Sequence, residues 1–129
     1  MEQLLLHLIG DYVTQTEWMA KKKLESLPAA LLHAGVYSLP FFLITSSVPA
    51  VAVIFASHAV IDHYRLARFL VYAKNWTMDR GLRWADCAVT GYHKDTPAWL
   101  ATALLIAVDN TTHLTINYAA LRWLCVPRR

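Results

Sequence analysis

Charge is what this sequence of 129 residues has least of. Charged residues make up 16% and hydrophobic ones 57%, where soluble domains carry about a quarter charged. That excludes a disordered chain and argues against an ordinary soluble domain. Cysteine is scarce as well: Cys87 and Cys125 offer neither a metal spacing nor a disulfide framework. Twelve basic against nine acidic residues give a net charge of +3. No basic stripe is interleaved with exposed aromatics, so no nucleic-acid partner is expected. Repeats at solenoid periods and low-complexity segments are absent. Met1-Glu2-Gln3 lacks a basic n-region, and no small-residue cleavage site follows, so no cleavable signal sequence is expected. One domain over residues 1–129 accounts for the length.

The charges that exist leave long gaps. Residues 26–61, 36 in all, contain no Asp, Glu, Lys or Arg. One bilayer span needs about 20 apolar residues, so this stretch reads as two spans around the turn Ser46-Ser47-Val48-Pro49. Residues 97–121 carry one charged residue, Asp109, and residues 3–16 carry one, Asp11. The pattern predicts an all-α fold: an integral membrane four-helix bundle with helices near 2–22, 27–46, 49–73 and 97–123. Residues 74–96 would form a short amphipathic interfacial segment between helices three and four. Trp18, Trp76, Trp84, Trp99 and Trp123 fall at helix ends or in that segment, as an aromatic belt would. Lys21, Lys22, Lys23, Arg65, Arg68, Lys74, Arg80, Arg83 and Lys94 share one side of such a topology, which the positive-inside rule makes cytoplasmic. Arg122, Arg128 and Arg129 go against that rule. A soluble, very apolar four-helix bundle is the alternative.

Ionisable residues inside apolar helices are costly and mark function. Here they come in pairs: His7 with Asp11, His58 with Asp62, and Asp109 with His113, each spaced i, i+4 and so on one helix face. Asp11 lies 12 residues before Lys23, Asp62 lies 12 before Lys74, and Asp109 lies 12 after Pro97. At 1.5 Å per residue that puts all three carboxylates about 18 Å from one end of the bundle. Helix two adds His33. Close carboxylates in a low dielectric need protons, cations or metal. Neutral imidazoles beside them suit one or two divalent ions, zinc first and manganese or iron next. The metal-ligand candidates are therefore His7, Asp11, His33, His58, Asp62, Asp109 and His113. Gln15 and Asn117 continue the same faces and would either orient ligands or form helix–helix hydrogen bonds. His63 is a candidate general acid or base, a further ligand, or polar packing, and Arg65 is a candidate holder of an anionic group such as phosphate or an interfacial snorkelling arginine. A proton-relay or buried hydrogen-bond network is the competing reading of the same residues.

The segments LLHLIGDYVTQ, LLHAGVYSLPF, SHAVIDHYRL and VDNTTHL resemble an uncharacterised family of small phage and bacterial membrane proteins, domain of unknown function 3307. The resemblance covers most of the chain. It points to His7, Asp11, Gln15, His33, His58, Asp62 and the Asp109/His113 pair, and it implies a multi-pass protein of the bacterial inner membrane with a phage or prophage origin. A looser similarity runs to putative membrane-bound metal-dependent hydrolases.

The expectation is a membrane-embedded metal-dependent hydrolase acting on a lipid or lipid-linked phosphate or ester. Metal-bound water would be the nucleophile, and His63 or a spare Asp would carry the proton. Two alternatives are a metal-stabilised or ion- or proton-conducting bundle without catalysis, and a small phage membrane effector that binds a host protein. A homodimer would bury more of the polar faces.

Overall fold

The computed structural model describes residues 1–125. Of the expectations above, only those on Arg128 and Arg129 fall outside that range. The described residues are helical and contain no strand. They form α1 (Glu2–Leu8), α2 (Glu17–Lys22), α3 (Leu27–Ser38), α4 (Val48–Tyr64), α5 (Ala67–Met78), α6 (Trp84–Cys87) and α7 (Ala98–Trp123). They pack as two compact units: Met1–Tyr64 with the described residues from His113 to Cys125, and Arg65–Thr112.

The expected all-α class is what the chain adopts, but the expected spans are not. Among the described residues no helix is long and apolar enough to cross a membrane. Each candidate span is interrupted for a local reason. The first ends in a π-helical turn, Ile9–Val13, and restarts at α2, where Thr16 caps the helix by accepting from Met19 N at 3.2 Å. The second is α-helical for 12 residues, then tightens into a 3₁₀ turn, Leu39–Leu43, that contains Pro40. The third stops at Tyr64 after 17 residues, because Arg65 takes a left-handed backbone, φ 53°. The fourth runs for 26 residues, but Asp109, Asn110, Thr111, Thr112 and His113 occupy its middle.

In the first unit a core of Leu6, Tyr37, Phe41, Val51, Ile54 and Ala120 holds the helices together. The π turn has a visible cause. A Cβ on Gly10 would stand 2.5 Å from the Tyr37 ring, so only glycine lets this turn approach α3 so closely. Ser47 opens α4 by accepting from Ala50 N at 3.3 Å, with Pro49 following in the first turn. Large apolar side chains nevertheless stay exposed, among them Leu5, Leu32, Leu39, Leu43 and Val48, more than isolated surface leucines explain.

In the second unit the expected interfacial segment is packed against its own neighbours. α5 continues to Met78, and α6 is a single turn. Trp84 stacks on Phe69 with ring centroids 4.7 Å apart. Arg68 donates to Ala88 O and Arg65 to Val89 O, each at 2.9 Å, which ties the end of α6 to the start of α5. Gly91 has φ 83° and meets the Arg68 carbonyl too closely for any side chain.

Candidate metal centre

Four side chains from three segments of the first unit converge on one point. The π turn supplies Asp11, α3 supplies His33, and α4 supplies His58 and Asp62. All four are buried. His33 Nε2 lies 3.3 Å from Asp11 Oδ1 and 3.3 Å from Asp62 Oδ2. His58 Nε2 lies 3.3 Å and 3.2 Å from the same two oxygens. The two nitrogens are 3.0 Å apart. Metal–ligand bonds of about 2.0–2.1 Å in a tetrahedron put ligand atoms about 3.3 Å apart. These five edges lie close to that value and the two carboxylate oxygens are within 4.8 Å of each other, so the four atoms could ligate a single divalent ion.

The hydrogen bonding supports that fit. Asp11 Oδ1 is buried and has no well-directed hydrogen bond, although two imidazole nitrogens stand beside it. An orphaned buried carboxylate oxygen is costly unless something else meets it. One feature departs from the usual pattern. Nδ1 of His33 and Nδ1 of His58 are buried without partners, where metal-bound imidazoles ordinarily donate from their second nitrogen.

The electrostatics of the four residues are tightly linked. Burial by itself would raise both carboxyls. Contact with His33 and His58, and the charge of His58, outweigh it and hold Asp11 well below the usual carboxylate range. His113, His33 and His58 do the same for Asp62. Burial would lower His58, but the two carboxylates overcome it and raise the imidazole to about 9. Without metal the centre therefore keeps a proton on His58, and metal binding must displace it.

Around these four lies a ring of supporting groups. Tyr37 stacks on His58, ring centroids 3.7 Å apart at 17°. Its hydroxyl accepts from Asn117 Nδ2 at 2.6 Å and meets His7 Nδ1 at 2.8 Å. His7 Nδ1 is 3.6 Å from Asp11 Oδ2, and His113 Nε2 is 3.2 Å from Asp62 Oδ1. His7 and His113 thus stand behind the two carboxylates, each on the oxygen turned away from the four-atom cluster. Asn117 reaches the centre through Tyr37. Gln15 lies between the π turn and α2 with its Oε1 buried and unpartnered. His63 Nδ1 lies 3.0 Å from the Lys23 carbonyl oxygen. Asp109 sits one turn before His113 on α7. Arg65 follows the end of α4 and donates to Val89 O within the second unit.

Two residues at the centre were not singled out as site residues from the sequence. One is Tyr37, four residues after His33 and therefore on the same helix face, a signal that was available. The other is Lys23, whose Nζ is 2.7 Å from Asp62 Oδ2 and 3.4 Å from His33 Nε2. Its signal was subtler. Lys21 pairs with Glu17 and Lys22 with Glu25, while Lys23 has no acidic residue at those spacings.

No curated protein and no solved structure matches the chain. Residues 1–121 match the family described as protein of unknown function (DUF3307), and that span contains every residue of the centre; the chain belongs to this family.

Proposed function

We propose that Asp11, His33, His58 and Asp62 hold one divalent ion of the zinc class and that the protein is a metal-dependent hydrolase of a lipid or lipid-linked phosphate or ester. The observation that carries the reading is the convergence of two imidazole nitrogens and two carboxylate oxygens at tetrahedral spacing in a buried place. A bound ion would supply an acidified water and polarise the scissile group. The chain's residues do the rest. Tyr37 fixes the plane of His58, His113 fixes the Asp62 carboxylate, and the packed helices exclude bulk water. The exposed leucines of α1, α3 and the 3₁₀ turn favour work at a lipid surface. The bacterial inner membrane and a phage or prophage origin belong to the same proposal.

The test is metal content of purified protein, wild type beside His58→Ala and Asp62→Ala. One equivalent of zinc, manganese or iron, lost in both variants, is the expected result. Folded wild type that takes up no metal after reconstitution overturns the reading. A second reading rests on the completeness of the tetrahedron, since structural zinc sites are closed and catalytic ones keep a position open. Protein that binds zinc and melts higher with it, yet cleaves no ester or phosphoester, would put a metal-stabilised bundle first.

A further inference from the structure

Lys23 is placed unlike its two neighbours. Lys21 and Lys22 form ion pairs with Glu17 and Glu25 on exposed side chains. Lys23 turns inward, its side chain 15% exposed, and its ammonium rests on Asp62 Oδ2, one of the four ligand atoms. From this placement, and resting on the metal reading above, we infer that Lys23 binds the oxyanion of a phosphate substrate beside the loaded centre.

Two arguments lead there. The first counts hydrogen bonds. An ammonium has three N–H groups. One meets Asp62 Oδ2, and another faces His33 Nε2. A carboxylate oxygen has two lone pairs and can serve lysine and metal together, whereas an imidazole nitrogen has one. Once His33 Nε2 coordinates, Lys23 loses that acceptor and keeps a donor beside the ligand sphere. The second argument counts charge. A divalent ion balances Asp11 and Asp62, and ligating imidazoles are neutral. The Lys23 ammonium then shares Asp62 Oδ2 with the ion in a largely buried place, where its remaining N–H groups are costly to leave without an acceptor. A neutral ester brings no charge to meet it. A phosphate group brings charge and several oxygens, so one can approach the metal while another accepts from Lys23. The more exposed rim of the centre is formed by Lys23 and Asp11, whose side chains are 15% and 11% exposed, against at most 4% for His33, His58 and Asp62.

The experiment titrates inorganic phosphate into zinc-loaded and zinc-free protein by calorimetry, with wild type, Lys23→Gln and Lys23→Arg. Phosphate is expected to bind the zinc-loaded form alone. Lys23→Gln should keep its zinc and bind phosphate about tenfold more weakly or worse, the loss of a charge-assisted hydrogen bond. Lys23→Arg should retain most of the binding. If Lys23→Gln fails to fold, Lys23→Met, which keeps the apolar stem, carries the same comparison. A parallel arm uses phosphatidic acid vesicles beside phosphatidylcholine vesicles. Lysine-dependent capture by the former that free phosphate does not relieve assigns the group to a lipid headgroup, and competition by free phosphate assigns it to a soluble source. Zinc-loaded wild type that binds neither probe overturns the inference while the metal reading stands, as does equal phosphate binding by Lys23→Gln. Wild type that takes up no zinc overturns both.

Discussion

The two compact units use the same residue types to opposite effect. In the unit of residues 65–112, charges meet at the surface. Asp86 pairs with Arg83 and Lys94, whose side chains are 80% and 66% exposed, and Arg80 lies over the Trp76 ring. In the other unit, Asp11 and Asp62 meet His33, His58, His113 and Lys23 out of water. Exposed pairs are screened and loosely held. Buried pairs must be satisfied nearly completely or they destabilise the fold. The lesson is that a carboxylate's role here follows from its dielectric surroundings. Asp86 secures a loop, while Asp62 commits four other polar groups to one geometry.

Asp62→Ala should break this contrast most severely. It leaves Lys23 and His113 without their shared partner, a loss of about 3–5 kcal/mol for a broken buried pair, and it should also abolish metal uptake. Denaturant unfolding and metal analysis on one preparation check both. A variant as stable as wild type would mean that the buried pairs do not hold the unit together.

A pH titration sharpens the comparison next. His58 is raised from 6.5 to about 9, so its contribution to the metal-free fold is complete below about pH 6.5 and is lost as pH rises toward 9. The two carboxylates are lowered from 3.8, so their contribution is present above that value and is lost as pH falls below it. Metal-free protein should therefore melt several degrees lower at pH 9 than at pH 6.5. Zinc affinity should run the other way and tighten with pH, because zinc displaces the His58 proton. Equal slopes for the two forms would show that zinc does not bind through His58.

Gly10→Ala comes third. The added methyl meets a Tyr37 ring that is fully buried and hydrogen-bonded at its hydroxyl, and a cost of about 1–3 kcal/mol is expected from overpacking. The shift should also displace Asp11 and weaken metal binding, which a chelator competition would detect. Lys94→Ala stands last. It removes an exposed partner of Asp86 and should leave the melting temperature unchanged within measurement. A clear drop would show that the surface pairs of the second unit matter more than their exposure suggests.

Much of the centre was legible before the fold. His58 and Asp62 are one helical turn apart, and His7 and Asp11 likewise, so helical periodicity alone grouped them. His33 fitted the depth argument less well than the paired residues, yet its nitrogen is one of the four at the point of convergence. That convergence depends on how α3 packs on α4, which periodicity along a single helix does not encode. Asp109 and His113 show the same one-turn spacing and do share one continuous helix, α7. Interruptions were harder to foresee than apolar runs. Low charge density located the apolar stretches, but the break at residues 14–16, the 3₁₀ turn at Pro40 and the left-handed Arg65 cut them into helices too short or too polar to cross a bilayer.

By itself, then, the sequence determined that the chain is helical, apolar and supplied with histidine–aspartate pairs at helical spacing. These are properties of neighbours a few residues apart, and local backbone geometry transmits them directly. Tertiary structure alone decided which four ligand atoms face one another, that Tyr37 braces His58, and that Lys23 leaves its charged run to sit on Asp62. Those outcomes join segments whose residues lie 21 to 51 positions apart. They follow from the close approach that Gly10 permits and from the cost of leaving any buried charge unmatched.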